Sequence, residues 1–235
     1  MKYAAYAIAI VISVLLPLAA YQHWVSEFGL LEAVGFVTGA WGVWLTVKEN
    51  IWNWPIGIAN VITYIFVYWK ARLFADMGLQ WVYLALSIAG WYFWLYGGEK
   101  KTKLIVTRIK PRAAAVLVLL TAAFTAGMTV FLKSVNDSAP FLDALTTGMS
   151  LAAQYMLTRK NYENWYVWLT ADVIYIGLYI NKHLYLTAVL YAVFCVMCFF
   201  GMKDWQNSMR RSQAPKAPPE PDTHAWPPAP QHPVA

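Results

Sequence analysis

Asp172 is the residue of this chain best placed to do chemistry. Of twelve Asp and Glu residues, eleven fall in connections, tails or helix ends, and this one falls at the centre of an apolar stretch. At ~1.5 Å per helical residue it lies roughly 12 Å from the nearer end. An ionisable group that deep in hydrocarbon costs at least ~2.5–3.5 kcal/mol unless it faces a cavity or a partner. Trp165, Trp168, Asp172 and Tyr175 follow at spacings of three, four and three, which puts them on one helical face. An earlier segment carries Asn53, Gly57, Asn60 and Tyr64 on its matching face, with Thr63 beside them. Gln80, Tyr83, Ser87, Trp91 and Trp94 share a third face, and Asp143, Thr147, Ser150 and Gln154 a fourth. Interhelical polar contacts, at about 1 kcal/mol or less apiece, account for some of these side chains. A wet, aromatic-lined cavity accounts for all four faces together.

The ligand implied is flat, polar, and neutral or cationic. Indole and phenol faces stack on planar rings and attract cations, while amides and hydroxyls suit sugar hydroxyls and carboxamides. No Lys or Arg lies mid-span, so a phosphate or carboxylate meets no counter-charge. Nucleosides fit and nucleotides do not. The sequence holds no nucleophile–base pair, no phosphate-cradling glycine loop and no metal-ligand cluster, so neither an enzyme nor a cofactor is expected. Cys195 and Cys198, the only cysteines, exclude a disulfide framework and are assigned to packing within an apolar helix.

The elements that position these faces follow from composition. Hydrophobic residues make up 60% of the 235, and charged residues 13%, half the usual share for a soluble domain. The expected fold is an all-α polytopic membrane protein with eight transmembrane helices, at about 3–21, 28–47, 51–69, 75–96, 113–132, 140–157, 162–180 and 183–201. Residues 1–22 form an extra N-terminal helix, 28–97 a first three-helix repeat, and 98–135 a basic loop and linker helix. Residues 140–205 form the second repeat, and 206–235 a disordered, proline-rich tail. The apolar run of residues 1–20 is long for a secretory signal, and Leu18 suits cleavage poorly, so this helix is read as retained.

Fourteen of the eighteen Lys and Arg residues fall on the face holding both termini, leaving Lys70, Arg72, Lys133 and Lys182 opposite. The positive-inside rule makes that face cytoplasmic. The net charge of +6 is thus a topology signal, and nucleic-acid binding is not needed to explain it. The repeat is legible at a separation of 112, which pairs Asn60 with Asp172, Lys70 with Lys182, and Leu45-Thr46 with Leu157-Thr158. Gly90 and Trp94 recur as Gly201 and Trp205 at 111, implying one gap. Three helices plus a linker make both repeats enter from the same side, as parallel repeats. This 3+1+3 plan resembles the sugar-transporting SWEET family. Gly35, Gly39 and Gly42 suggest close helix packing, Pro55 is tolerated in a first helical turn, and Trp24, Trp44 and Trp69 suggest interface anchors.

Trp52-x-Trp54-Pro55-x-Gly57-Ile58-x-Asn60 with Tyr64 closely resembles the signature of the PnuC family of vitamin transporters. Gln80-Trp81-x-Tyr83, Gly90-Trp91-x-x-Trp94 and Asn164-Trp165-x-x-Trp168-x-x-x-Asp172-x-x-Tyr175 are similar to its other blocks. The resemblance covers roughly 28–205 and implies a facilitator that imports nicotinamide riboside, which a cytoplasmic kinase then phosphorylates and traps. Relatives that carry thiamine or riboflavin leave those vitamins as alternatives, and proton-coupled uptake through Asp172 is a second mechanism. The resemblance implies Asn60, Tyr64, Gln80, Trp91, Trp94, Trp165, Trp168, Asp172 and Tyr175 as ligand residues, and Ser87 and Gln154 join them from the polar faces. The expected partners are a small-molecule substrate and the lipid bilayer, in a bacterial plasma (inner) membrane. A homo-oligomer is left open.

Overall fold

A computed structural model describes residues 29–72, 74–181, 183 and 185–213. Seven α-helices make up most of this: α1 (Gly29–Val47), α2 (Asn53–Ala71), α3 (Phe74–Tyr96), α4 (Pro111–Ser134), α5 (Pro140–Thr158), α6 (Asn164–Asn181) and α7 (Tyr185–Gln213). The expected helix at 3–21, Lys182 and the chain beyond 213 lie outside the described residues. Both α4 and α5 start on proline, whose fixed φ suits a first helical position and whose missing N–H has no partner there anyway. The main departure from the expected boundaries is α7, which continues to Gln213 where a tail was expected from 206. Trp205 and Met209 bury themselves in those extra turns, and Arg210 and Arg211 sit favourably at the helix C-terminus.

Helix α5 begins and ends 111 positions after α1, α6 begins 111 after α2, and α7 begins 111 after α3. The turns repeat at the same separation. Glu49 and Lys160 both take left-handed backbone after α1 and α5 (φ 52° and 51°), as do Arg72 and His183 after α2 (57°) and α6 (58°). This corrects the separation of 112 read for Asn60 and Asp172. In the structural register Asn60 matches Ala171, and Asp172 matches Val61. The reason is geometric: the turns at Glu49 and Lys160 fix the phase before α2 and α6 begin, and polar matches one residue out of phase do not constrain it.

Helices pack in sequence within α1–α2–α3 and within α5–α6–α7, with α4 against α5. The halves meet reciprocally, α1 on α7 and α3 on α5. The partition of side chains inverts that of a water-soluble protein. Ile62, Phe66, Val118, Leu119, Leu120, Val130, Val173 and Phe199 are exposed on the outside, while Thr46, Asn53, Ser87, Thr146, Ser150, Asn164 and Asp172 are buried. Such a surface is stable against hydrocarbon and not against water. Among the described helices, α4 and the Ala188–Gln213 stretch of α7 are long and apolar enough by composition to cross a bilayer.

Two minor expectations fail. A Cβ added at Gly39 or Gly42 would meet nothing within 4 Å, so that face is not a tight helix contact. Trp44 is buried, with the Lys48 ammonium 4.8 Å from its ring, and is no interface anchor. Close approach instead occurs at Gly90 and Gly201, where a Cβ would overlap the rings of Trp54 and Trp165. These contacts seat four tryptophans, Trp54, Trp94, Trp165 and Trp205, in one buried cluster with Val47, Leu157, Val106 and Tyr162. Residues 102–110 cross this end of the bundle as an extended segment. Leu104 N–H donates to Trp94 O (3.2 Å), Thr107 N–H to Lys160 O (3.1 Å), and Tyr162 N–H to Thr107 O (2.9 Å).

Candidate substrate site

Helix α6 presents Asp172 toward α7, where the Cys198 thiol donates to Oδ2 at 3.7 Å. Asp172 is 4% exposed, and among the described residues no cation pairs with it. Cys198 therefore has a polar neighbour that its own helix did not reveal. One turn further along α6, Tyr175 packs its ring 4.6 Å from Tyr191 of α7, and Tyr179 lies 5.2 Å from the same ring. The Tyr175 hydroxyl interacts with Thr146 and Ser150 of α5, and Tyr83 of α3 reaches Ser150 as well. Trp168 is half-buried and packs against the tryptophan cluster. Thus α3, α5, α6 and α7 bring Tyr83, Ser150, Asp172, Tyr175 and Tyr191 into one polar, phenol-lined interior.

The first half contributes less bulk. Asn60 donates from Nδ2 to Thr38 Oγ1 of α1 at 2.7 Å, and Tyr64 lies 5.8 Å from Tyr68, ring to ring. Gly57, the counterpart of Trp168 in the structural register, has no atom within 4 Å of an added Cβ. An indole in one half thus has a single hydrogen as its counterpart in the other. Gln80 and Gln154 are half-buried and Ser87 is buried, so all three lie on the helix faces that were expected to turn inward.

Trp91 is 39% exposed, on the face of α3 that also carries the buried Ser87 and Trp94. Two expected site residues are placed elsewhere. Trp94 and Trp165 belong to the buried cluster at the end crossed by residues 102–110. Trp94 meets Trp54 edge-on at 5.3 Å and Trp165 meets Trp205 likewise at 5.4 Å. Each ring sits next to the inward stripe but is consumed by ring–ring contact. The spacing rule assigns a face and not a depth along it.

Tyr68, Tyr179, Tyr191 and Cys198 were missed as interior residues. Their signal was present: Tyr64 and Tyr68 recur as Tyr175 and Tyr179 at 111, an i, i+4 phenol pair in each half. The wrong offset hid it. Among the described residues, no group of His, Cys, Asp or Glu is arranged to hold a metal ion. Among the described residues the one buried cation is Lys160, paired with Glu49 at 2.8 Å. Hydroxyls, amides, carboxyl groups and aromatic faces are groups that can hold a ligand by stacking and hydrogen bonding.

The family model described as "Nicotinamide mononucleotide transporter" matches residues 29–207, the same stretch that carries both halves. The chain belongs to this family. Several of its relatives carry the name PnuC, and the family comprises transporters, not enzymes. The nicotinamide riboside transporter PnuC of Escherichia coli (strain K12) is 26% identical, over 78% of this chain and 88% of its own length. The riboflavin/roseoflavin transporter RibM of Streptomyces davaonensis is 23% identical, over 78% of this chain and 88% of its own. A crystal structure titled as the vitamin B3 transporter PnuC superposes with a TM-score of 0.64 at 21% identity, covering 86% of this chain and 92% of that one. That likeness establishes the transporter's fold.

Proposed function

We propose that this PnuC-family chain imports nicotinamide riboside by facilitated diffusion, with alternating access between its two three-helix halves. The observation that carries the reading is the interior itself: aromatic, hydroxyl-rich, holding Asp172 and Asn60, with Lys160, the one buried cation among the described residues, engaged by Glu49 at the loop end. Nicotinamide riboside is a flat cation with a carboxamide and a ribose. A nucleotide, which the family's description names, brings a phosphate that needs a counter-charge this interior lacks. In this reading Trp168, Tyr64 and Tyr175 supply stacking surface. Asn60, Gln80, Ser87, Gln154 and Asp172 supply polar contacts to ribose and carboxamide.

The remaining parts of the proposal concern setting. The chain spans a bacterial inner membrane with eight helices in a 3+1+3 plan of parallel repeats, and the basic face and both termini are cytoplasmic. Charge asymmetry supports the orientation, with fourteen of eighteen Lys and Arg on one face. Phosphorylation by a cytoplasmic kinase adds a charge the interior does not accept, so the product stays inside. Riboflavin is the second reading, favoured by the similarity to RibM and by a tyrosine lining suited to a tricyclic ring.

Binding of radiolabelled nicotinamide riboside to purified protein tests the substrate and the site together. Wild type should bind it in preference to riboflavin and thiamine, and Asn60→Ala or Trp168→Ala should lose at least about tenfold in affinity, the value of one or two good contacts. Normal binding by both variants would remove the site assignment. Tighter binding of riboflavin would replace the substrate. Accumulation in proteoliposomes loaded with kinase and ATP, indifferent to a proton gradient, separates facilitation from proton coupling.

A further inference from the structure

We infer that Trp94, Trp205 and the Glu49–Lys160 ion pair form a gate that closes the basic-loop end of the substrate path. The inference rests on the transport reading above and concerns release, not recognition. Trp94 ends the third helix of the first half, and its Nε1–H donates at 3.0 Å to Leu157 O, near the end of the first helix of the second half. Trp205, its counterpart 111 residues later, donates at 3.0 Å to Thr46 O in the first half. Leu157 and Thr46 are themselves counterparts. Each half therefore inserts one indole into the other, and the two rings touch at 6.0 Å. This exchange obeys the same pseudo-two-fold relation as the helices.

Ionic contacts follow the same symmetry. Glu49 and Lys160 occupy equivalent left-handed turn positions and bond to each other across the halves at 2.8 Å. The Lys160 ammonium also lies 4.5 Å from the Trp94 ring, and Lys48 bonds Asp204 across the halves at 2.6 Å. Non-glycine residues held in left-handed backbone cost energy, so a pair of them retained at one pseudo-symmetric junction is a defined structural device. Trp205 is 0% exposed, and the cluster beneath it contains Val47, Trp54, Leu157 and Trp165, leaving this end shut. A ligand held beside Asp172 reaches the basic-loop face only after the reciprocal indoles withdraw. The structure is thus the state closed to that face.

Cys198 offers a native reporter, because it lies within the same cluster and against Asp172. In full-length protein carrying Cys195→Ala, reconstituted in vesicles, a membrane-impermeant maleimide is applied from the basic-loop face. The double variant Trp205→Phe/Lys160→Gln removes one hydrogen bond and one ion pair while keeping an aromatic ring. Cys198 modification should accelerate on the order of tenfold over the parent, the shift that losing two such contacts gives a two-state element. An unchanged rate in protein that still elutes as folded would overturn the gate.

A second variant guards against misfolding. Glu49→Cys/Lys160→Cys joined by a short bismaleimide should abolish nicotinamide riboside transport, while binding from the opposite face stays within about threefold of the uncrosslinked protein. Transport that continues after complete crosslinking would also overturn the proposal. Were nicotinamide riboside not the substrate, neither the crosslinked nor the uncrosslinked protein would move it, yet the maleimide rates would still judge the gate.

Discussion

Replacing Gly201 by Ala should destabilise the protein, and the structure sets how much. A Cβ there falls inside the van der Waals envelope of the Trp165 ring, at Cζ2, Cε2 and Cδ2. Ordinary spacing returns only if the indole retreats by about 1 Å. Trp165 is 2% exposed and already meets the Trp205 ring at 5.4 Å, so there is no room behind it. Overpacking of this kind costs about 1–3 kcal/mol, against about 1 kcal/mol gained by Ala over Gly within a helix. The net loss should be up to about 2 kcal/mol, which lowers Tm by as much as about 8 °C for a chain of this size and leaves it below a glycine-to-alanine change made in open space. Gly90→Ala should behave alike, because its Cβ would overlap Trp54 in the same way. Gly177→Ala is the control, since a Cβ there meets nothing within 4 Å. Size-exclusion elution of detergent-solubilised protein across a heating series reads all three. If Gly201→Ala and Gly90→Ala melt at or above Gly177→Ala, the close seating of the two indoles is refuted.

Two further predictions address the interior and the strap across the bundle. Cys198→Ser should preserve thermal stability, because a hydroxyl still donates to Asp172, whereas Cys198→Val should lose about 1–3 kcal/mol by leaving that buried oxygen without its donor. Matched melts of the two variants decide it, and equal melting temperatures would show that the thiol contact carries no weight. Glu163→Ala removes the acceptor of the Ile109 N–H (2.9 Å) and the partner of Arg108 (3.4 Å), so trypsin should cut after Arg108 faster, with transport retained. The expected loosening is modest, since an exposed pair contributes about 1 kcal/mol or less. Unchanged proteolysis would mean that backbone bonds alone hold residues 102–110.

How much of the site was legible differs from residue to residue. Asp172, Tyr175 and Asn60 were found because a polar side chain in the middle of an apolar run leaves few alternatives to an interior position. Trp94 and Trp165 were included because the same spacing that finds a face says nothing about which neighbour fills it. Both are taken up by other indoles. Tyr179 went unremarked because a tyrosine near a helix end is equally at home in an interface belt.

The sequence by itself determined the helices, the apolar exterior, the polar interior and the existence of a duplication. Those are properties of composition and of a period of 3.6 residues, and both survive any rearrangement of the helices. Only the tertiary structure decided the register of that duplication, the partner of Asp172 and the crossing of Trp94 and Trp205 into opposite halves. Each of these depends on contacts between residues far apart in the chain. The Trp205 bond to Thr46 spans 159 positions, and a local pattern carries no information about which distant carbonyl an indole will meet.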